Sequence, residues 1–168
     1  YGGQKLIGEL FFIHYAKAYD FRMSIVRPHN FYGPRAGYDH AIPQIISRVL
    51  KKEEPFVVYG ADETRSFCYI DDAVEAIQTV MESRETDFGT YHIGTKEETR
   101  LEDLVKYILS EMHYEPKETE KESSPAGSVS RRLPDVSKIQ RDTGWVARIP
   151  LNKGLQETIA WYSDNPST

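Results

Sequence analysis

Cysteine is almost missing from this chain, with Cys68 standing alone. One thiol excludes an internal disulfide and fits a reducing compartment, so the expected location is the cytoplasm. No apolar run approaches the roughly 20 residues of a membrane span, and the opening residues read as neither a signal peptide nor a transit peptide. Positive charge is also in short supply: 21 Lys and Arg face 26 Asp and Glu, a net charge of −5. That balance removes the general electrostatic case for nucleic acid or an anionic membrane, and it leaves any basic binding cleft to a few local groups. His14, His29, His40, His92 and His113 show no metal-ligand spacing, so no metal is expected. There is no P-loop and no Gly-x-Ser-x-Gly elbow. An initiator Met is lacking as well, which suggests a piece of a longer protein.

What is present is ordinary for a globular chain. The 168 residues, 39% hydrophobic and 28% charged, give room for one domain with a real core. Leu6, Leu10, Ile13 and Ala16 recur at helical spacing and predict a first helix from about Gly2 to Tyr19. Ile7, Phe11 and Phe12 broaden its apolar surface, so one side is expected to meet the chain's own sheet and the other a partner helix in a homodimer. Phe21 to Val26 reads as a strand, followed by loop chemistry from Arg27 to Pro34. A helix is expected from about His40 to Lys52, with Ile42, Ile45, Ile46, Val49 and Leu50 inward and Pro43 in its first turn.

Phe56 to Gly60 and Arg65 to Ile70 read as strands. Asp71 or Asp72 is expected to cap a helix running to about Ser83, with Val74, Ile77, Val80 and Met81 on its buried side. Gly89 to Gly94 returns as a strand. Thr99 with Glu102 looks like a capping box for a helix carrying Leu101, Leu104, Val105, Ile108 and Leu109 inward. Glu115 to Ser130 is polar and reads as a linker or mobile edge. Asp135 is expected to cap a short helix through Thr143, ended by Gly144 and Trp145, and a last helix spans about Asn152 to Ser163.

The candidate chemistry begins at the opening. On a helix Tyr1 and Lys5 lie one turn apart on one face. A phenol has a pKa of about 10, and a nearby ammonium lowers it by stabilising the phenolate. Such a pair can move a proton to or from a hydroxyl, although five residues of this pattern, taken alone, fit a solvated helix face better.

The order of the later motifs is more specific. Tyr1-Gly2-x-x-Lys5-x-x-Gly8-Glu9 is followed by Arg27-Pro28-x-Asn30-x-Tyr32-Gly33-Pro34-Arg35. Val58-Tyr59-Gly60 comes next, then Thr64-Arg65-x-Phe67-x-Tyr69-Ile70-x-Asp72. Arg132-x-Pro134-Asp135-x-Ser137-Lys138 and Gly144-Trp145 complete the set. This series resembles the extended short-chain dehydrogenase/reductases, the NAD-dependent sugar-nucleotide epimerases, dehydratases and decarboxylases.

The resemblance implies an α/β fold in which residues 1–168 are the C-terminal portion of a Rossmann-like enzyme. They would hold its last Rossmann elements plus the small substrate-binding domain, while the NAD-binding half, with its Gly-x-x-Gly-x-x-Gly, is not in this sequence. It implies NAD as cofactor and a nucleotide-diphosphate sugar as substrate, modified through a transient keto-sugar by epimerisation, dehydration or decarboxylation. Tyr1 would be the acid/base, and Lys5 would tune it and hold the nicotinamide ribose, with Pro28 and His29 also at the cofactor. His29 replaces an aromatic residue of many relatives, and either approaches the nicotinamide carboxamide or fills space.

Asn30 contacts the diphosphate or merely forms the turn before Tyr32. Tyr59 lies beside the base or in the core. Arg65 and Arg132 grip the diphosphate and ribose, or pair with surface acids. The alternative to an enzyme is a module that binds nucleotide sugar or dimerises without turnover.

Overall fold

The computed structural model describes residues 2–166. Helix α1 (Gly2–Tyr19) has the bounds that its spacing predicts, but its packing departs from expectation. Ala16 is its one buried residue, while Leu6, Ile7, Leu10, Phe11 and Phe12 are each at least half exposed. The chain's own sheet therefore covers neither apolar side among the described residues. Polar bonds fasten the helix instead. Arg27 donates to Glu9 from Nε at 2.8 Å and from Nη2 at 2.6 Å, a two-pronged pair that ties α1 to the strand β1 (Ile25–Pro28).

That strand starts later than the apolar residues indicate. It runs parallel to β6 (Thr90–Ile93), with Ile25 opposite Thr90 and Pro28 opposite Ile93. Met23 and Ser24 lie outside the ladder and meet the turn before β6: the Phe88 amide donates to Met23 O, and the Ser24 hydroxyl donates to Thr86 O. Pro28 closes β1, where its missing N–H costs least.

Within the expected loop, β2 (Phe31–Tyr32) pairs in parallel with β5 (Cys68–Tyr69). The strand expected over Arg65 to Ile70 is split. Its first part, β4 (Thr64–Arg65), joins β7 (Thr99–Arg100) antiparallel and β9 (Arg131–Arg132) parallel, so Ser66 and Phe67 form the step between two sheets. The polar stretch after residue 115 also corrects expectation. It contains β8 (Thr119–Glu122), paired in parallel with β3 (Phe56–Tyr59). All four β8 side chains are exposed, so this strand carries no apolar alternation by which to recognise it.

Helix α2 (Ala41–Leu50) buries Ile42, Ile45, Ile46 and Val49, with Leu50 left at the surface and Pro43 in the first turn as expected. Helix α3 (Ile70–Glu82) begins one residue before Asp71, with Tyr69 in the capping position, and neither aspartate caps it. Asp72 is buried and accepts the main-chain N–H groups of Arg148 at 3.1 Å and Ile149 at 2.9 Å. Val74 and Met81 point outward, and the buried row is Ala73, Ala76 and Val80. Small residues there let the helix lie close to its neighbours, whereas size alone had favoured the large ones.

Helix α4 (Leu101–Glu111) has no capping box, because Thr99 belongs to β7 and Glu102 pairs with Lys106, Lys121 and Arg100. Asp135 accepts the Ser137 amide at 2.9 Å just ahead of α5 (Ser137–Thr143). That helix ends on Gly144 at φ +75°, a left-handed cap suited to glycine. Helix α6 (Leu151–Asp164) completes the order.

Two apolar clusters result. The larger joins α2, α4 and α6 to β3 through Ile46, Phe56, Leu104, Ile108, Leu155 and Tyr162. The smaller packs α3 and α5 on β6 through Ala76, Val80, Tyr91, Ile93, Ile139 and Trp145. The chain passes repeatedly between these bodies, first at residues 28–32, and that passage carries candidate site residues.

Candidate functional site

The passage Pro28-His29-Asn30 links two clefts. On one side Lys5, Pro28 and His29 line a cleft of ≈ 460 Å³ between α1 and the end of β1. Tyr1, the predicted acid/base, lies outside the described residues. His92 from β6 lines the same cleft, and its Nδ1 faces His29 Nε2 at 2.7 Å. Burial, then the facing His92 and the Arg132 cation, hold the His29 imidazole below its usual range. Glu9 is likewise held low, because Arg27 bonds its carboxylate.

On the other side Asn30, Tyr59, Arg65 and Arg132, four residues from four separate segments, line one cleft of ≈ 360 Å³. Asn30 has φ +43°, a left-handed conformation that asparagine tolerates better than most residues. Its Nδ2 donates to Ser66 O at 2.8 Å, and its main-chain O accepts the Cys68 amide at 3.2 Å. Asn30 is thus a turn former that also presents Oδ1 to the cleft, where Arg132 Nη1 lies at 3.5 Å. Tyr59 is not a core residue: its side chain is exposed, with the Arg48 guanidinium 5.6 Å from the ring centre.

The two arginines differ sharply. Arg132 is exposed. Arg65 is buried, and its guanidinium already donates to Glu63, Ser128 Oγ, Thr64 O and Ser130 O. Desolvation pushes the Glu63 carboxyl up, but bonds from Ser124, Ser128 and Arg65 outweigh it and leave the group below the usual carboxylate range.

Three participants had no motif to announce them. Arg48 lies over Phe56 at 4.4 Å and Tyr59, and donates to Glu53 and Val57 O, so it stiffens the cleft wall. Its signal was a cation set beside the apolar row of α2. His92 sits between buried Tyr91 and Ile93, and strand alternation puts it on the opposite face. Glu63 had no sequence signal beyond its closeness to Arg65. Cys68 is no nucleophile, since burial pushes its thiol up to about 12.

Residues 1–94 match the model of the NAD dependent epimerase/dehydratase family. The chain belongs to this family. It is 30% identical over 171 residues to human dTDP-D-glucose 4,6-dehydratase, covering 98% of this chain and 48% of that protein. It is 29% identical over 157 residues to UDP-glucuronic acid decarboxylase 6 of Arabidopsis thaliana, covering 92% and 45%. Among solved structures, UDP-glucose 4-epimerase from Thermotoga maritima, crystallised with UDP-glucose, aligns at a TM-score of 0.88 with 27% identity. That alignment covers 99% of this chain and 54% of the epimerase.

Members of the family use NAD, and several neighbours were solved with it bound. The chain spans about half the length of the curated relatives it matches. As in those neighbours the architecture is α/β with parallel strand pairs. No helix among the described residues is long and apolar enough to cross a membrane.

Proposed function

We propose that this chain carries the nucleotide-sugar-binding part of an NAD-dependent enzyme. That enzyme modifies a nucleotide-diphosphate sugar through a transient keto-sugar, with epimerisation the favoured outcome over dehydration or decarboxylation. The observation that supports it is convergence: Asn30, Tyr59, Arg65 and Arg132 share one cleft, and the adjoining cleft holds Lys5, Pro28 and His29.

The second donor set suits the nicotinamide-ribose end of NAD, an ammonium for a diol beside a half-buried imidazole. The sequence has no glycine-rich cradle for the pyrophosphate, so these residues would hold that end alone. When bound, NAD supplies a reversible hydride acceptor at the sugar carbon. Tyr1 takes the proton of the sugar hydroxyl and later returns it. Lys5 favours the phenolate and so brings the tyrosine's pKa toward the working pH. Arg132 meets the diphosphate with forked N–H donors, and the exposed face of Tyr59 receives the base.

Tyr1→Phe in the full protein tests the reading. Turnover should vanish while nucleotide-sugar affinity stays within a few fold, because the lost group acts on a proton in flight rather than on ground-state binding. Near-normal activity would sink the assignment. A second reading, a dimerising module without turnover, draws on the exposed apolar surface of α1.

A further inference from the structure

His29 and His92 come from different strands, yet their rings meet edge to edge. Ring centres are 4.9 Å apart, tilted by 48°, and His29 Nε2 lies 2.7 Å from His92 Nδ1. At that separation one nitrogen carries the proton and the other accepts it. The pairing is built in. The His29 amide donates to Ile93 O at 3.0 Å, and β1 and β6 are in register with Arg27 opposite His92. Gly94 makes room: a Cβ there would stand 3.3 Å from His29 Cβ and 2.7 Å from Pro134 Cγ.

We propose that the two imidazoles form a proton relay at the Lys5 cleft, with His29 the group that meets bound ligand and His92 the positioning residue that sets its tautomer. Two neutral rings with one bridging proton leave their outer nitrogens, His29 Nδ1 and His92 Nε2, in opposite roles. If His29 Nε2 holds the bridging proton, His29 Nδ1 is an acceptor and His92 Nε2 a donor. A proton arriving at His29 Nδ1 from the ligand side lets the bridging proton pass from His29 Nε2 to His92 Nδ1, and the proton on His92 Nε2 passes to solvent water, which the part-exposed ring reaches. Each ring ends neutral in its other tautomer, and one proton has crossed the pair. This rests on the reaction proposed above, whose keto-sugar chemistry moves protons at this cleft.

Burial, the facing ring and the Arg132 cation disfavour a charge on His29. Lys5 and Glu9 on α1, Arg27 on β1, Arg132 on β9 and Asp135 before α5 surround the pair, three cations against two carboxylates. One extra proton on the pair makes both outer nitrogens donors and stops the relay. Because His29 is held low, that stop falls below the usual histidine value of about 6.5.

Nitrogen-15 NMR of the histidine rings in the full protein, with the pH profile of kcat, tests the relay. Protonation of His29 should take place below about pH 6.5 and should shift the ring nitrogen signals of both histidines together. In His92→Asn, kcat should fall about a hundredfold with KM nearly unchanged, and the acidic limb of the profile should move with the new His29 titration. Should that variant fail to fold, His29→Asn is read in the same way, on kcat and on loss of the acidic limb of its pH profile. A His29 titration that leaves the His92 ring signals unmoved, or an unchanged kcat profile in the folded variant, would overturn the proposal. Wild-type protein without turnover would instead sink the functional reading, and the relay would then stand or fall on the ring titration.

Discussion

Arg65 and Arg132 stand opposite each other in the ladder between β4 and β9, yet their donors are spent differently. Arg132 lies open to the cleft, so Arg132→Ala should weaken nucleotide-sugar binding roughly tenfold to a hundredfold with little change in melting temperature. Arg65→Ala also removes the cation from half-buried Glu63 and leaves Ser128, Thr64 and Ser130 without its donors. It should therefore cost about 2–4 kcal/mol of stability as well as affinity. Calorimetric titration paired with thermal unfolding separates the two effects. Equal affinity losses with no loss of stability in Arg65→Ala would mean that its protein bonds are incidental.

Asp72 shows how an element can be joined to a distant segment by one side chain. Its buried carboxylate accepts two main-chain N–H groups from residues 148 and 149, tying the first turn of α3 to the approach to α6. Asp72→Ala strands both donors and should cost about 3 kcal/mol, a fall of roughly 6–12 °C in melting temperature. Asp72→Asn, which keeps an acceptor oxygen, should lose less. The sequence pattern could place α2, α4 and α6 because each presents large apolar groups at helical spacing. In α3 it placed Val80 and Ile77 inward correctly but not Val74 and Met81, in whose place alanines make the contact, and it missed β8, which is held by main-chain bonds under exposed polar side chains. The cleft residues were legible as an ordered series of motifs. Their partners His92 and Arg48 were not, because proximity in space between separate elements leaves no mark on local spacing, and Glu63, though two residues from Arg65, belongs to no motif.

Charge pairs at the sheet surface set how the whole molecule responds to acid. Bonds from Arg131 and Thr64 lower Glu98 to about 2, and bonds from Lys106 and Lys121 lower Glu102 to about 2. A carboxylate with a depressed folded-state pKa stabilises above its unfolded value and loses that contribution as pH falls through the folded one. Melting temperature should thus drop between about pH 4.5 and 2, less steeply in Glu98→Gln and less steeply in high salt, since both groups face water. A slope identical in Glu98→Gln would remove that residue from the account. The exposed Phe11 and Phe12 on α1 predict self-association visible in light scattering and abolished by the double change to Glu. A wild-type chain that stays monomeric at high concentration would refute it. Strand β8 has a practical side: its outward Thr119, Glu120, Lys121 and Glu122 precede Ser124 and Ser128 on the cleft wall, and the chain's one native thiol is buried and unreactive. A cysteine placed at Glu120 would accordingly be labelled alone, giving a fluorescent reporter within a few residues of the cleft that replaces none of its lining.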